Sequence, residues 1–218
     1  MKIELLNIDC MEYMATVPDK YFDLAIVDPP YGVKGDSFRS GMQGKKAKST
    51  NYHAALWDQP VPDKDYFLEL KRVSKNQIIW GANHFAGLIP DPSSPCWVVW
   101  DKNNTGDFAD CELAYTSFKT AVRKFSFTWN GMLQGDMANK EKRIHPTQKP
   151  VKLYQWLLNN YAKTGQKILD THLGSGSSAI AAHYFCVSEF VGCELDKVYF
   201  DAACARITLE TSQTAMVI

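Results

Sequence analysis

The chain has 218 residues, of which 45% are hydrophobic, and this length and composition predict one globular domain spanning residues 1–218. Lys plus Arg and Asp plus Glu both number 24. This balance excludes binding to nucleic acid through net positive charge alone, so such a partner would need a local basic face. No basic segment leads into a long apolar run and no stretch of about 18 apolar residues occurs, which favours a cytoplasmic protein without a membrane partner. The 6 cysteines lack the spacing of zinc ligands and predict reduced thiols and no metal site.

Short apolar runs alternate with amphipathic stretches along the chain, which predicts an α/β fold. The predicted strands are Ile3–Ile8, Phe22–Asp28, Asn76–Gly81, Cys96–Asp101, Cys111–Phe118, Arg123–Trp129, Lys167–Asp170 and Glu189–Leu195. The predicted helices are Cys10–Val17, Asp63–Val73, Val151–Ala162, Ser177–Phe185 and Lys197–Ile207. We expect the strands at 111–118 and 123–129 to pair as an antiparallel hairpin at the edge of an otherwise mostly parallel sheet.

The segment "ILDTHLGSGSSAIAA" predicts a strand, a turn containing Gly174 and Gly176, and the start of a helix. Doubly wound sheets use this unit to bring backbone N–H groups to a nucleotide, and Glu194, at the end of the next strand, is placed to bind ribose hydroxyls. A carboxylate at Asp170 would repel a diphosphate but attract the ammonium and sulfonium groups of S-adenosylmethionine. A turn whose glycines serve packing alone is the alternative.

The stretch "LAIVDPPYG" ends an apolar strand at Asp28 and then fixes the backbone with Pro29 and Pro30 before Tyr31. The acid comes at the carboxyl end of a strand, where α/β sheets hold their sites. The exocyclic amino group of a nucleobase must be oriented by hydrogen-bond acceptors before it can attack a methyl donor. Asp28 and the Pro29 carbonyl supply two acceptors, Pro30 fixes the direction of that carbonyl, and Tyr31 offers a flat surface to an unstacked base.

With these motifs the chain resembles the amino-methylating DNA methyltransferases, the family that modifies N6 of adenine or N4 of cytosine. "DPPY" at 28–31, "HPTQKP" at 145–150 and "DTHLGSG" at 170–176 occur in the order of the permuted β group, with the catalytic motif before the cofactor glycines. The resemblance implies a circularly permuted, Rossmann-like, doubly wound fold with S-adenosylmethionine as cofactor. It also implies that the N-terminal strand lies beside the two C-terminal strands.

The resemblance further implies roles for individual residues. The catalytic residues that it implies are Asp28, Pro29, Pro30 and Tyr31. The cofactor-binding residues that it implies are Asp9, Cys10, His145, Thr147, Lys149, Asp170, His172, Gly174, Ser175, Gly176 and Glu194. Of these, Asp9 corresponds to the contact with the adenine of the cofactor, and "HPTQKP" closes the methionine side. The family's usual Asp-Pro-Phe is Asp170, Thr171 and His172 here, and because His172 can hydrogen-bond and titrate we expect an altered cofactor affinity.

Basic residues flank the predicted site on both sides. The predicted DNA-contacting residues are Lys34, Arg39, Lys45, Lys46, Lys48, Lys142 and Arg143. Charge runs are usually solvated faces, but both clusters adjoin the site, and we expect them to contact phosphates while segments 32–58 and 119–143 contact the target bases. Segments this small predict a short target sequence, or help from a second copy of the chain or a partner subunit.

Asp at the head of the four-residue motif resembles the adenine-modifying members, whereas Ser is commoner among the cytosine-modifying ones. The expected activity is therefore methylation of a flipped adenine at N6 in duplex DNA, with N4 of cytosine as the alternative. RNA methylation is a further alternative. A nicotinamide-dependent oxidoreductase would leave "DPPY" and "HPTQKP" unexplained and would place Asp170 against a diphosphate.

Overall fold

The computed structural model describes residues 1–32, 61–104, 109–130 and 133–212. Its strands are β1 (Lys2–Leu6), β2 (Phe22–Val27), β3 (Ser74–Trp80), β4 (Trp97–Asp101), β5 (Cys111–Thr116), β6 (Arg123–Ser126), β7 (Trp129–Asn130), β8 (Leu133–Gln134), β9 (Lys167–Asp170) and β10 (Glu189–Cys193). Its helices are α1 (Cys10–Ala15), α2 (Lys64–Val73), α3 (Val151–Tyr161), α4 (Ser177–Phe185) and α5 (Lys197–Ser212), with a 3₁₀ turn at Ala82–His84. Within these ranges no helix has the length and apolar character needed to span a membrane.

Eight strands form one mixed sheet in the order β1-β10-β9-β2-β3-β5-β4-β6. The first five strands in this order, which are β1, β10, β9, β2 and β3, all run parallel to one another. The N-terminal strand lies beside the two C-terminal strands, as the order of the three motifs requires. The mostly parallel α/β sheet predicted from the sequence is confirmed.

The antiparallel part of the sheet differs in its pairing from the sequence prediction. β5 pairs antiparallel with both β3 and β4, so the hairpin consists of β4 and β5. The predicted hairpin between the strands at 111–118 and 123–129 is wrong, because β6 lies on the far side of β4 and runs parallel to it. The Lys102 N–H donates to the Asp110 carbonyl and continues the ladder that joins β4 directly to β5.

Helices cover both faces of the sheet, which makes the fold doubly wound. Along β2, Leu24 and Ile26 belong to one core, while Ala25 and Val27 belong to the other, as alternation in a strand buried on both faces requires. The first core also contains the apolar side chains of α3, α4 and α5. The second contains those of α1 and α2.

Acidic residues from three strands or strand ends lie together at one edge of the sheet. The parallel strands β2 and β9 end at this edge, which places Asp28 just after β2 and Asp170 at the end of β9. Because β5 runs antiparallel to β3, its first residues lie at the same edge, and Glu112 is the second of them. Carboxyl edges of α/β sheets are where such folds hold their sites.

Candidate active site

Asp28 begins the "DPPY" turn, and its side chain is 15% exposed. Its Oδ1 accepts a hydrogen bond from the Tyr31 hydroxyl at 2.5 Å. Its Oδ2 accepts one from Nζ of Lys149, also at 2.5 Å. Burial raises the pKa of Asp28 above its ordinary value, and the Lys149 ammonium opposes that rise. Two donors from separate segments thus hold the carboxylate in a fixed orientation.

Tyr31 ends the "DPPY" turn, and its ring packs against the 3₁₀ turn after β3. Its ring stacks on His84, with centroids 5.1 Å apart and planes 12° from parallel. The ring also lies directly on Gly81, whose φ is +66° and where a Cβ would fall 2.1 Å from Tyr31 Cε1. His84 is exposed, so Tyr31 and His84 together form a two-ring aromatic stack at the border of the site. The sequence analysis did not predict the part played by His84.

Lys149, which the resemblance assigned to the methionine side of the cofactor site, has its ammonium against the Asp28 carboxylate. Its side chain is 4% exposed, and Nζ is 3.1 Å from Glu112 Oε2 as well as 2.5 Å from Asp28 Oδ2. Lys102 forms a second ion pair with Glu112. Burial alone would raise the pKa of Glu112, but Lys149 and Lys102 hold it down at about 2. The sequence analysis missed Glu112 and Lys102.

The glycine turn after β9 surrounds a second buried carboxylate, that of Asp170, which is 1% exposed. Asp170 accepts hydrogen bonds from the His172 N–H at 3.0 Å and from the Ser178 hydroxyl at 2.5 Å. Burial raises its pKa to about 7. Gly176, with φ +75°, lies so close to α5 that a Cβ would fall 2.7 Å from Ile207 Cδ1. Ser175 is buried beside it, and its carbonyl accepts a hydrogen bond from Arg206 of α5.

His172, the departure from the family pattern, is fixed by a short hydrogen-bonded chain. Thr171 Oγ1 lies 2.9 Å from His172 Nδ1 and 2.6 Å from the Tyr66 hydroxyl. The Tyr66 ring meets the imidazole edge to face at a centroid distance of 5.5 Å. Burial lowers the pKa of His172 to about 4, so the imidazole is neutral at physiological pH.

The "HPTQKP" segment lies against the glycine turn, so the structure brings these two predicted parts together. A Cβ built on Gly174 would fall 3.8 Å from His145 Nδ1. His145 Nδ1 is 3.1 Å from Thr147 Oγ1, and its ring packs edge-on against Tyr199 at 4.3 Å between centroids. Burial, followed by the nearby Lys149 charge, lowers the pKa of His145 to about 4.

The residues predicted at the adenosine side lie at the ends of β1 and β10. Asp9 caps α1 by accepting a hydrogen bond from the Met11 N–H at 2.7 Å, and Cys10 begins that helix. Burial raises the pKa of Cys10 to about 12. Glu194 follows β10, and its Oε2 accepts the Gly174 N–H at 2.8 Å. Glu194 therefore fixes the backbone of the glycine turn in addition to any contact with a ligand.

The predicted DNA-contacting residues are only partly placed. Lys142 is exposed, and the guanidinium carbon of Arg143 lies 4.8 Å from the centroid of the buried Trp129 ring. Arg143 thus packs on the protein itself. The remaining predicted contacts lie outside the described residues, and they are Lys34, Arg39, Lys45, Lys46 and Lys48.

Comparison with known proteins identifies the family. The family model N6_N4_Mtase, described as "DNA methylase", matches residues 79–205. The chain belongs to this family of DNA methyltransferases. The Type II methyltransferase M.HinfI of Haemophilus influenzae is 24% identical over an alignment that covers 93% of this chain and 67% of that protein.

Solved structures of DNA methyltransferases share the fold. The M1.HpyAVI–SAM complex matches with a TM-score of 0.59 and 20% identity, over 94% of this chain and 99% of that one. The PvuII DNA methyltransferase, described as cytosine-N4-specific, matches with a TM-score of 0.61 and 13% identity, over 98% of this chain and 92% of that one. These likenesses confirm the α/β methyltransferase fold predicted from the motifs.

S-adenosylmethionine is the cofactor of this family of DNA methyltransferases, and the chemistry of the glycine turn fits it. Asp170 is a buried carboxylate whose described partners are the His172 N–H and the Ser178 hydroxyl. Such a group is stabilised by an adjacent positive charge and destabilised by a phosphate. The turn therefore matches a cationic cofactor in preference to a dinucleotide.

Proposed function

We propose that this protein methylates adenine at N6 in duplex DNA, acting on a base that is flipped out of the helix. The observation that carries the proposal is the Asp28 carboxylate, which Tyr31 and Lys149 hold at the end of β2, beside the glycine turn at the end of the neighbouring strand β9. Asp in this position supports adenine, as the motif comparison predicts. The family assignment by itself covers both N6 of adenine and N4 of cytosine.

In this proposal Asp170 binds the ammonium of the methionine part, with Gly174, Ser175 and Gly176 around it. Glu194 binds the ribose hydroxyls, and Asp9 and Cys10 border the adenine. His145, Thr147 and His172 close the methionine side. When bound, the cofactor would supply an electrophilic methyl group for transfer from sulfur to the amino nitrogen, which would lose one proton.

Asp28 and the Pro29 carbonyl accept hydrogen bonds from the two N–H groups of the target amino group and orient its lone pair toward the methyl carbon. Pro30 fixes the direction of that carbonyl. The stack of Tyr31 and His84 offers a surface to the unstacked base, since base–aromatic stacking is worth about 1–3 kcal/mol per base. Asp28 acts here by orienting the amino group.

Contacts to DNA are proposed for the basic residues named above and for segments 32–58 and 119–143. Lys142 is an exposed cation placed just before "HPTQKP", which supports a phosphate contact. The small size of these segments supports a short target sequence, or completion of the DNA-binding face by a second copy of the chain.

The test is to incubate the protein with S-adenosylmethionine and unmethylated duplex DNA, digest the DNA to nucleosides and identify the products by mass spectrometry. We expect N6-methyladenine from the wild type and none from Asp28→Ala, with cofactor binding retained in that variant. Asp23→Asn is the matched control, because Asp23 also pairs with a lysine, Lys75, but near the start of β2, at the opposite end of the strand from the turn. N4-methylcytosine would overturn the base assignment, and an active Asp28→Ala protein would overturn the role of Asp28.

A further inference from the structure

Four charged side chains of alternating sign form a largely buried cluster at the carboxyl edge of the sheet, which we call the ion cluster: Asp28, Lys149, Glu112 and Lys102. They come from the turn after β2, the "HPTQKP" segment, β5 and the connection after β4. Their side chains are 15%, 4%, 21% and 19% exposed, respectively. The cluster holds two cations and two anions, so its formal charge is zero. Of its members, the sequence analysis assigned a role only to Asp28 and Lys149.

We propose that Glu112 is a positioning residue for methyl transfer, which draws Lys149 partly away from Asp28 so that this carboxylate keeps an acceptor for the target amino group. This inference rests on the proposed function, in which Asp28 orients that amino group. Glu112 itself touches neither base nor cofactor in this proposal. It acts through Lys149.

The geometry of the ammonium supports this role. Lys149 Nζ donates hydrogen bonds to Asp28 Oδ2 at 2.5 Å and to the Tyr31 hydroxyl at 3.2 Å. It also forms an ion pair with Glu112 Oε2 at 3.1 Å, so its charge is shared between two carboxylates. The same nitrogen lies 5.6 Å from the centroids of both Tyr31 and Trp80, which fixes it between two aromatic rings. An ammonium held in this way can be moved by a change in either of its anionic partners.

Two hydrogen-bond donors already occupy part of the acceptor capacity of Asp28. Tyr31 donates to Oδ1 and Lys149 to Oδ2, while each carboxylate oxygen has two lone-pair sites. Without the charge of Glu112, Lys149 would have Asp28 as its one carboxylate partner in the cluster. It would then compete with the base for the remaining lone pairs. Lys102 completes the arrangement by pairing with the other side of Glu112.

The charges around Asp28 shift its pKa, so the proposed role of Glu112 predicts a change in the pH dependence of turnover. Glu112 raises the pKa of Asp28, and Lys149 lowers it. Tyr31 and Tyr154 also face this carboxylate, but burial raises their pKa values well above 10, so both are neutral. Asp170 faces it as well, and the two carboxylates repel each other. Removing the charge of Glu112 should therefore lower the pKa of Asp28, and removing that of Lys149 should raise it.

The experiment compares Glu112→Gln and Lys149→Met with the wild type and with the control Asp23→Asn, at saturating S-adenosylmethionine and from pH 5 to pH 9. We expect Glu112→Gln to lower kcat by roughly tenfold to a hundredfold, since small misplacements of reacting groups cost up to about 10²-fold. The acidic limb of its kcat profile should move to lower pH, and that of Lys149→Met to higher pH. Asp23→Asn should leave the limb in place, because a merely structural loss does not shift it.

A Glu112→Gln protein with the wild-type kcat and an unmoved acidic limb would overturn the inference. If Glu112→Gln does not fold, Glu112→Asp keeps the charge at a shorter reach, and we then expect a lowered kcat with the acidic limb at its wild-type pH. A wild-type kcat in Glu112→Asp would overturn the inference in that case. These failures differ from failure of the proposed function, which would show as no methylated base with wild-type enzyme or as activity in Asp28→Ala.

Discussion

Gly81 is the residue on which the placement of Tyr31 depends most directly, and we predict that Gly81→Ala damages both stability and turnover. Gly81 follows β3 and has φ +66°, a left-handed conformation that side chains with a Cβ adopt at a cost. A Cβ here would lie 2.1 Å from Cε1 and 2.5 Å from Cζ of Tyr31. The ring cannot move aside without breaking the 2.5 Å hydrogen bond from its hydroxyl to Asp28.

The size of the effect follows from two costs. The left-handed backbone costs a residue with a Cβ roughly 1–2 kcal/mol. Overpacking of a rigid ring costs typically about 1–3 kcal/mol. Together they predict a loss of about 2–5 kcal/mol in the free energy of unfolding, and for a chain of this length each kcal/mol lowers Tm by about 2–4 °C. The fall in Tm should therefore lie between about 4 and 20 °C.

Gly87→Ala is the matched control, because Gly87 lies in the same connection, its φ is not positive and nothing lies within 4 Å of where its Cβ would point. Thermal unfolding of both variants gives the stability comparison, and kcat measured well below both Tm values gives the effect on the site. We expect Gly87→Ala to stay within about 0.5 kcal/mol of the wild type. If Gly81→Ala matches Gly87→Ala in both Tm and kcat, the contact between Gly81 and the Tyr31 ring does not constrain the catalytic turn.

Three further predictions concern the cofactor turn, DNA binding and α5. The pKa of Asp170 is about 7, so acidification protonates this carboxylate and removes the charge that attracts the cofactor. Calorimetry should therefore show cofactor affinity falling by up to about tenfold per pH unit below pH 7. Asp170→Asn should bind more weakly without this dependence, and an unchanged pH profile in Asp170→Asn would contradict the assignment. Lys142→Ala should reduce the magnitude of the slope of log affinity for DNA against log salt concentration by about 1. Lys163 is also exposed but distant from the site in the chain, so Lys163→Ala should leave the slope unchanged. Equal slopes in the two variants would show that Lys142 does not contact DNA. Arg206→Met should lower the free energy of unfolding by up to about 3–5 kcal/mol in chemical denaturation, because it leaves the largely buried Glu141 carboxylate without the guanidinium that lies 2.7 Å away. That cost should shrink when Glu141→Gln is added, and full additivity of the two changes would argue against their coupling.

The parts of the site that local sequence determines were predictable. Prolines fix the chain after Asp28, glycines permit the turn before α4, and the apolar spacing of α3 follows directly from the sequence. Each of these features depends on neighbouring residues only. The order of the three motifs also predicted that β1 would lie beside β10, because the motifs identified which strands belong together.

Long-range partners were not predictable in the same way. β6 has the alternation of an edge strand, but alternation does not say whether its neighbour is β4 or β5. Glu112 gave one signal that could have been used: it shares a strand face with Ala114 and Thr116, both buried. An acid on a buried face requires a counterion, but no sequence rule identifies Lys149 as that counterion.

Asp28 and Asp170, the two carboxylates at the ends of β2 and β9, differ in their counterions, and the difference supports the proposed position of each substrate. Asp28 and Asp170 lie at the ends of the neighbouring strands β2 and β9. Asp28 has a lysine, Lys149, as its resident counterion, whereas the described partners of Asp170 are a hydroxyl and a backbone N–H. A neutral nucleobase brings no charge, so a carboxylate that faces it needs its own cation to stay ionised. A cationic methyl donor supplies that charge itself, which supports the proposed arrangement with the donor at the β9 turn and the acceptor base at the β2 turn.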